Sequence, residues 1–378
     1  MLTHGVIDLV VIFVFPTAFL WVETNSFSGV AVELSRKDVT SVIMAERAKA
    51  VVWNDQSQRL RLPWRLVLWL ALLVVLGLLV TTAVGVLSSR SIESILVLFT
   101  PERPGDQTVI AARNLLFVSA QSFVMVGSVY LAGRFLDRRW FRDFGFHFDR
   151  DWWVDLGFGL VLGATLMTGV FVVELLAGWI TVRDLFFIAR PDFAFWPWFL
   201  WGFITFAAVG VYEELLFRGY LITNIAEGLT WFERVDGTVA IGLATLVTSV
   251  VFGVAHAGNP NATLASTVGI VLAALMLVAG YVLSGELAIP IGLHTTWNFF
   301  QGTVYGFPVS GTNNGVSLVA IEQSGPSVIT GGGFGPEAGL LGIAATGIGL
   351  GLIVLWVAWR EGSVQFDLSI TSPEFRHQ

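Results

Sequence analysis

Three short segments of this chain hold side chains that together could activate water and stabilise an anion. Tyr212-Glu213-Glu214-Leu215-Leu216-Phe217-Arg218-Gly219 sets two adjacent carboxylates just before an arginine. Phe252-Gly253-Val254-Ala255-His256 closes a second apolar run, and His294-Thr295-Thr296-Trp297-Asn298 lies inside a third. A carboxylate and an imidazole can accept a proton from water. An imidazole N–H and an amide N–H can donate to a developing oxyanion. Of the five histidines, the two within long apolar runs are His256 and His294. The chain has no cysteine, which excludes a thiolate nucleophile, a disulfide framework and a Cys-ligated metal.

The elements that must carry these residues are membrane spans. Hydrophobic residues make up 55% of the 378 positions and charged residues only 13%, where soluble domains carry about 25% charged residues. The mean hydropathy is +0.74. The apolar residues come in blocks of about 20, long enough to cross a hydrocarbon core of roughly 30 Å. The expected fold is therefore all-α, a polytopic transmembrane helix bundle. About nine spans are expected, at 5–22, 64–88, 109–136, 153–180, 198–226, 239–257, 261–283, 286–306 and 336–359. Pro16 and Asp8 interrupt the first, and Asp8 has no evident partner. Residues 1–62 read as a span plus a cytosolic segment, 63–360 as the bundle and 361–378 as a cytosolic tail. The Gly-, Ser-, Asn- and Thr-rich stretch 307–335 reads as a mobile loop.

Orientation follows from basic residues near the span ends. Arg36, Lys37, Arg47, Lys49, Arg59 and Arg61 precede the second span, and Arg138, Arg139, Arg142 and Arg150 follow the third. Arg360 and Arg376 mark the tail, while 307–335 has no basic residue. This pattern predicts the N-terminus outside and the C-terminus in the cytosol. The formal charge of −7 argues against nucleic acid as a partner. The partners expected instead are membrane lipid and a peptide or protein substrate. Arginine greatly outnumbers lysine, which with the acidic balance points to a GC-rich or salt-adapted prokaryote; the expected location is its plasma membrane. The segment Asp137–Trp153 alternates charge with aromatic rings. It suits the headgroup layer, chiefly as an aromatic anchor for the next span, and His147 within it has no assigned role.

An ionisable side chain inside a span is costly and needs an explanation. One lone histidine can serve as a helix–helix hydrogen-bonding residue, and one Glu–Arg pair can be structural. Three such motifs on three spans at compatible depth point to function. At about 1.5 Å per residue, Glu213 lies roughly 20 Å, His256 about 25 Å and His294 about 12 Å from the cytosolic ends of their spans. That places one shared cavity in the cytosolic half or the middle of the membrane. At about 100° per residue, Arg218 lies roughly 40° from Glu214 and roughly 140° from Glu213. Arg218 should therefore pair with Glu214 as a structural ion pair, leaving Glu213 free on another face. His294 and Asn298, four apart, share a face. Arg113 and Glu174 stand alone near span ends and are left out of the site.

At these residues the chain resembles the CPBP family, which includes the type II CAAX prenyl proteases and bacteriocin-processing and abortive-infection-like relatives. The resemblance rests on Glu213, Glu214 and Arg218, then Phe252 and His256, then His294 and Asn298, and covers about 196–303. It implies an intramembrane endopeptidase in which Glu213 and His256 activate the attacking water. His294 and Asn298 would stabilise the oxyanion. Glu213, His256 and His294 also form a His₂–carboxylate set that zinc would accept, with water in the fourth position. A metal-independent scheme uses the same residues, and the missing His-Glu-x-x-His helix favours it. Two other readings use the same groups: a non-catalytic immunity or scaffold protein, and an ion-coupled transporter. The transporter would more typically show repeat symmetry, and none is visible.

Overall fold

A computed structural model describes Met44 and residues 49–90, 106–373 and 375. The expected span at 5–22, with Asp8, lies outside these residues. By its contacts the chain divides into Met1–Arg61 and Leu62–Gln378. In the first unit, strands β1 (Trp53–Asn54) and β2 (Arg59–Leu60) pair antiparallel, and Arg61 Nε donates to the Ala50 carbonyl.

The second unit is an integral membrane helix bundle. Its helices are α1 (Leu62–Arg90), α2 (Asp106–Ala132), α3 (Arg150–Leu176), α4 (Phe195–Leu229), α5 (Gly237–Ala255), α6 (Leu264–Ser284), α7 (Ala288–Asn298) and α8 (Leu340–Glu361). Among the described residues seven helices are long and apolar enough to cross a membrane, all of these except α7. The expected span 286–306 is shorter than its sequence suggests: α7 runs on only as a π-helical stretch, Phe299–Val304. α7 is buried on all sides, between α3, α4 and α6.

Close packing around α7 comes from small residues, as is usual between helices in lipid. A Cβ on Gly163 of α3 would collide with the Leu293 carbonyl, and one on Gly210 of α4 would stand 2.6 Å from Thr295 Oγ1. Thr296 Oγ1 donates across the interface to the Leu160 carbonyl at 2.8 Å.

Hydrogen bonds and ion pairs define the two ends of the bundle. At one end the start of α1, the α2–α3 and α6–α7 connections, the end of α4 and the tail meet. Arg65 pairs with Asp137 at 2.6 Å and approaches Glu227 at 3.5 Å, while Arg139 holds Glu227 at 2.9 Å. The Asp137–Trp153 segment is only partly an interfacial anchor. Trp140, Phe148 and Trp153 are exposed, yet Asp137, Arg139, Phe144 and Trp152 are buried. His147 meets Glu286, whose carboxyl is raised above its ordinary value by burial. The residues after α8 fold back, with Asp367 N bonded to the Val282 carbonyl and Ile370 buried.

At the other end lies a two-stranded antiparallel ribbon, β3 (Ile180–Ile188) with β4 (Val316–Gln323). The stretch 307–335, expected to be a mobile loop, is thus folded. Its strand pairs with a partner more than a hundred residues earlier, a contact that local sequence cannot show. Gln323 Nε2 donates to Glu174 Oε2 at 3.0 Å, which gives that buried in-span carboxylate its partner.

Candidate active site

α4 carries Glu213 and Glu214 on the α-helical turn just before residues Leu215–Ile222 adopt π-helical geometry. α7 carries His294 and Asn298 and makes the same change directly after Asn298. π-helical turns are rare and often mark functional sites. His256 caps the C-terminus of α5.

Glu213, His256, His294 and Asn298 all line one cavity of about 170 Å³, and Glu214 and Arg218 do not. The rest of its wall is largely apolar, with Phe206, Val209, Leu277 and Trp297 among it. Glu214 is fully buried behind the cavity and Arg218 nearly so. Arg218 Nη1 donates to Glu214 Oε1 at 3.1 Å. The guanidinium also lies over the Phe252 ring, 4.5 Å from its centroid, a cation–π contact that helps a buried charge.

The same carboxylate oxygen has a second partner. His294 Nδ1 stands 2.7 Å from Glu214 Oε1. With Nδ1–H donating to that carboxylate, Nε2 is turned toward Glu213, whose Oε2 is 3.9 Å away. His256 Nδ1 stands 2.8 Å from the Phe252 carbonyl, which can only accept, so the ring donates there. A backbone partner of this kind fixes the tautomer and leaves Nε2 as the reactive nitrogen. Among the described residues no hydrogen bond engages the Asn298 amide, so it remains available to the cavity.

Residues 195–300 match the family model of type II CAAX prenyl endopeptidases, Rce1-like. Comparison with curated proteins and with solved structures found no match. The Rce1-like segment runs from the first residue of α4 into the π-helical turn after Asn298. It contains all three motifs and supports a CAAX-type intramembrane protease. The β3–β4 ribbon lies outside it.

The same geometry bears on whether a metal would fit. Each imidazole has one nitrogen committed to a fixed partner, as metal-binding histidines usually do. The donor types therefore suit zinc. The spacing does not: among the described residues no three His, Cys, Asp or Glu side chains come close enough together to hold a metal ion. No step below runs through a metal.

The cavity has one carboxyl that sequence reasoning missed. Glu337 lines it from the short turn before α8. Its Oε2 accepts from Gln301 Nε2 at 2.6 Å and its Oε1 from Ser310 N at 3.1 Å. Burial raises this carboxyl to about 7, against the opposing pull of the Gln301 and Ser310 hydrogen bonds. Its only signal in the sequence is an acidic residue close to the start of a span. Asn259, Ser310, Thr312 and Glu337 line the cavity from connections at the ribbon end, so it reaches away from the arginine-rich end. His256 lines it from the far end of α5.

Proposed function

We propose that the protein is an intramembrane endopeptidase that hydrolyses a peptide bond of a membrane-associated peptide or protein. The observation that carries this reading is that Glu213, His256, His294 and Asn298 line one cavity while the Glu214–Arg218 pair stands outside it. Glu213, with its side chain 21% exposed, is placed to hold water. Glu213 takes a proton as the water oxygen attacks the peptide carbonyl carbon, with His256 Nε2 assisting. The carbonyl π electrons move to oxygen, and the Asn298 amide donates to that oxyanion. His294 donates as well when both its ring nitrogens carry protons. Collapse of the tetrahedral intermediate breaks the C–N bond, and the proton passes to the leaving amine, giving a carboxylic acid and an amine.

In this reading Glu214 is a positioning residue. It holds Arg218 and His294 through one oxygen, which fixes the depth and rotation of His294 in the cavity. Lipid surrounds the bundle, and a prokaryotic plasma membrane fits the arginine-rich composition. The test uses a Glu213→Gln variant as a trap in membranes. It should fold, lose turnover and retain a bound peptide that mass spectrometry identifies. If turnover persists in Glu213→Gln, the mechanism is wrong. If a cellular phenotype of the protein survives the change, the scaffold reading is favoured.

A further inference from the structure

The side from which the peptide enters is written into the two ends of the bundle. Toward the arginine-rich end the cavity is closed. Leu215, Tyr220, Phe144 and Leu287 are fully buried there, and beyond them lie the ion pairs of Arg65 and Arg139. Toward the ribbon end the cavity has a polar rim. Asn259 Nδ2 donates to the Ser310 carbonyl at 3.0 Å, Ser310 N donates to Glu337, and Gly311 N donates to the Phe334 carbonyl at 2.7 Å. These bonds tie the α5–α6 connection to the residues between α7 and α8, so the mouth is a fixed ring. Thr312 lies on it, exposed.

Arginines sort between the ends. Arg65, Arg134, Arg138, Arg139, Arg142, Arg150, Arg234 and Arg360 lie at or beside the closed end. The ribbon end has Arg183 and Arg190, Arg90 ends α1, Arg113 lies near the start of α2 and Arg103 lies in the sequence between those helices, while the long stretch from α7 to α8 has none. Basic residues collect in short cytoplasmic connections, so the closed end is the cytosolic one. The cavity lining contains no lysine or arginine, and it has two carboxyls, Glu213 and Glu337. A substrate's terminal carboxylate would find no cation there, whereas an internal peptide bond in a neutral or basic stretch meets no repulsion.

We infer that the cavity opens on the extracytoplasmic side and takes an internal, membrane-close segment of a peptide exposed on that side. This rests on the peptidase reading for the word substrate, but its test does not need activity. The chain has no cysteine, so single cysteines report position without background. Asn313→Cys, Thr312→Cys and Val328→Cys probe the mouth end, and Ser363→Cys probes the closed end; all four positions are exposed. Intact cells are treated with a membrane-impermeant maleimide, then compared with permeabilised cells. The three mouth positions should label in intact cells, and Ser363→Cys only after permeabilisation. Labelling of Ser363→Cys in intact cells with protection of Asn313→Cys and Val328→Cys would overturn the inference. So would labelling of Asn313→Cys with Thr312→Cys unreactive even in detergent, because the mouth would then be shut at that end. None of these outcomes depends on whether Glu213→Gln abolishes turnover, so the two proposals fail separately.

Discussion

The two ends of the bundle solve the same problem, buried polar groups in an apolar molecule, in opposite ways. The arginine-rich end uses full charges in pairs: Arg65 is 2% exposed and its partner Asp137 0%. The ribbon end uses amides, hydroxyls, backbone groups and the carboxyls of Glu337 and Glu174, each held by neutral partners. Pairs of full charges hold geometry tightly and leave no room for water. Neutral donors and acceptors can be fixed around an opening and still face solvent. The contrast teaches that the ion pairs build the floor of the site and the neutral network builds its door.

The contrast can be broken in graded steps. The largest effect belongs to the site between the ends. Glu213→Gln should lower turnover by about 10²–10⁴-fold, the usual range for loss of a positioned base, with the thermal midpoint near wild type. A peptide-cleavage assay beside a melting curve in detergent reads both. Next, Asp137→Asn removes the nearest carboxylate from Arg65 at the closed end, leaving it Asn224 and the more distant Glu227. Breaking a buried pair typically costs about 3–5 kcal/mol, so yield and melting temperature should drop while each surviving folded molecule keeps its turnover. Glu214→Gln should fall in the same range but lose activity as well, because it releases His294 as well as Arg218. Gly210→Ala pushes α4 from α7 at Thr295. Overpacking of this kind costs about 1–3 kcal/mol, and activity should fall by more than stability, since Glu214 and His294 lie across that contact.

At the door the sign of a pH effect sharpens the comparison. The Glu337 carboxyl is raised by burial from 4.5 to about 7 in the folded protein. A carboxyl raised on folding favours the folded state most when protonated. Stability should therefore fall as pH rises from about 4.5 to about 7 and then level off. Glu337→Gln should flatten that slope in a pH series of melting curves. The smallest effect is expected at the surface of the ribbon. Arg183 and Glu322 pair there with both side chains more than half exposed, and such pairs are worth about 0–1 kcal/mol. Arg183→Ala should shift the melting temperature little and turnover not at all.

The bundle and the site's parts were legible in sequence because lipid makes both conspicuous. Runs of about 20 apolar residues announce spans, and Glu213, His256 and His294 stand out against them. The helical wheel also indicated Glu214 as the partner of Arg218, although the residues between them are π-helical. What stayed hidden has a physical cause in each case. His294 reaching Glu214 depends on the close approach allowed by Gly210, a tertiary fact. The ribbon pairs 180–188 with 316–323, and glycine and serine around β4 masked it as a loop.

α7 is too short and too polar to enter hydrocarbon unaided. Ala288–Asn298 and its π-helical extension fall outside the seven self-sufficient crossings, and they carry His294, Thr295, Thr296, Asn298, Gln301 and Thr303. Its sockets are on α3, α4 and α6, and all three precede it in the chain. During synthesis those helices are therefore in the bilayer before α7 leaves the ribosome, and it inserts into a cleft already prepared by them. His294 and Asn298 arrive with it, so Glu213 waits without them until α3, α4 and α6 are in place. The candidate site is therefore assembled late, from helices that enter at different times.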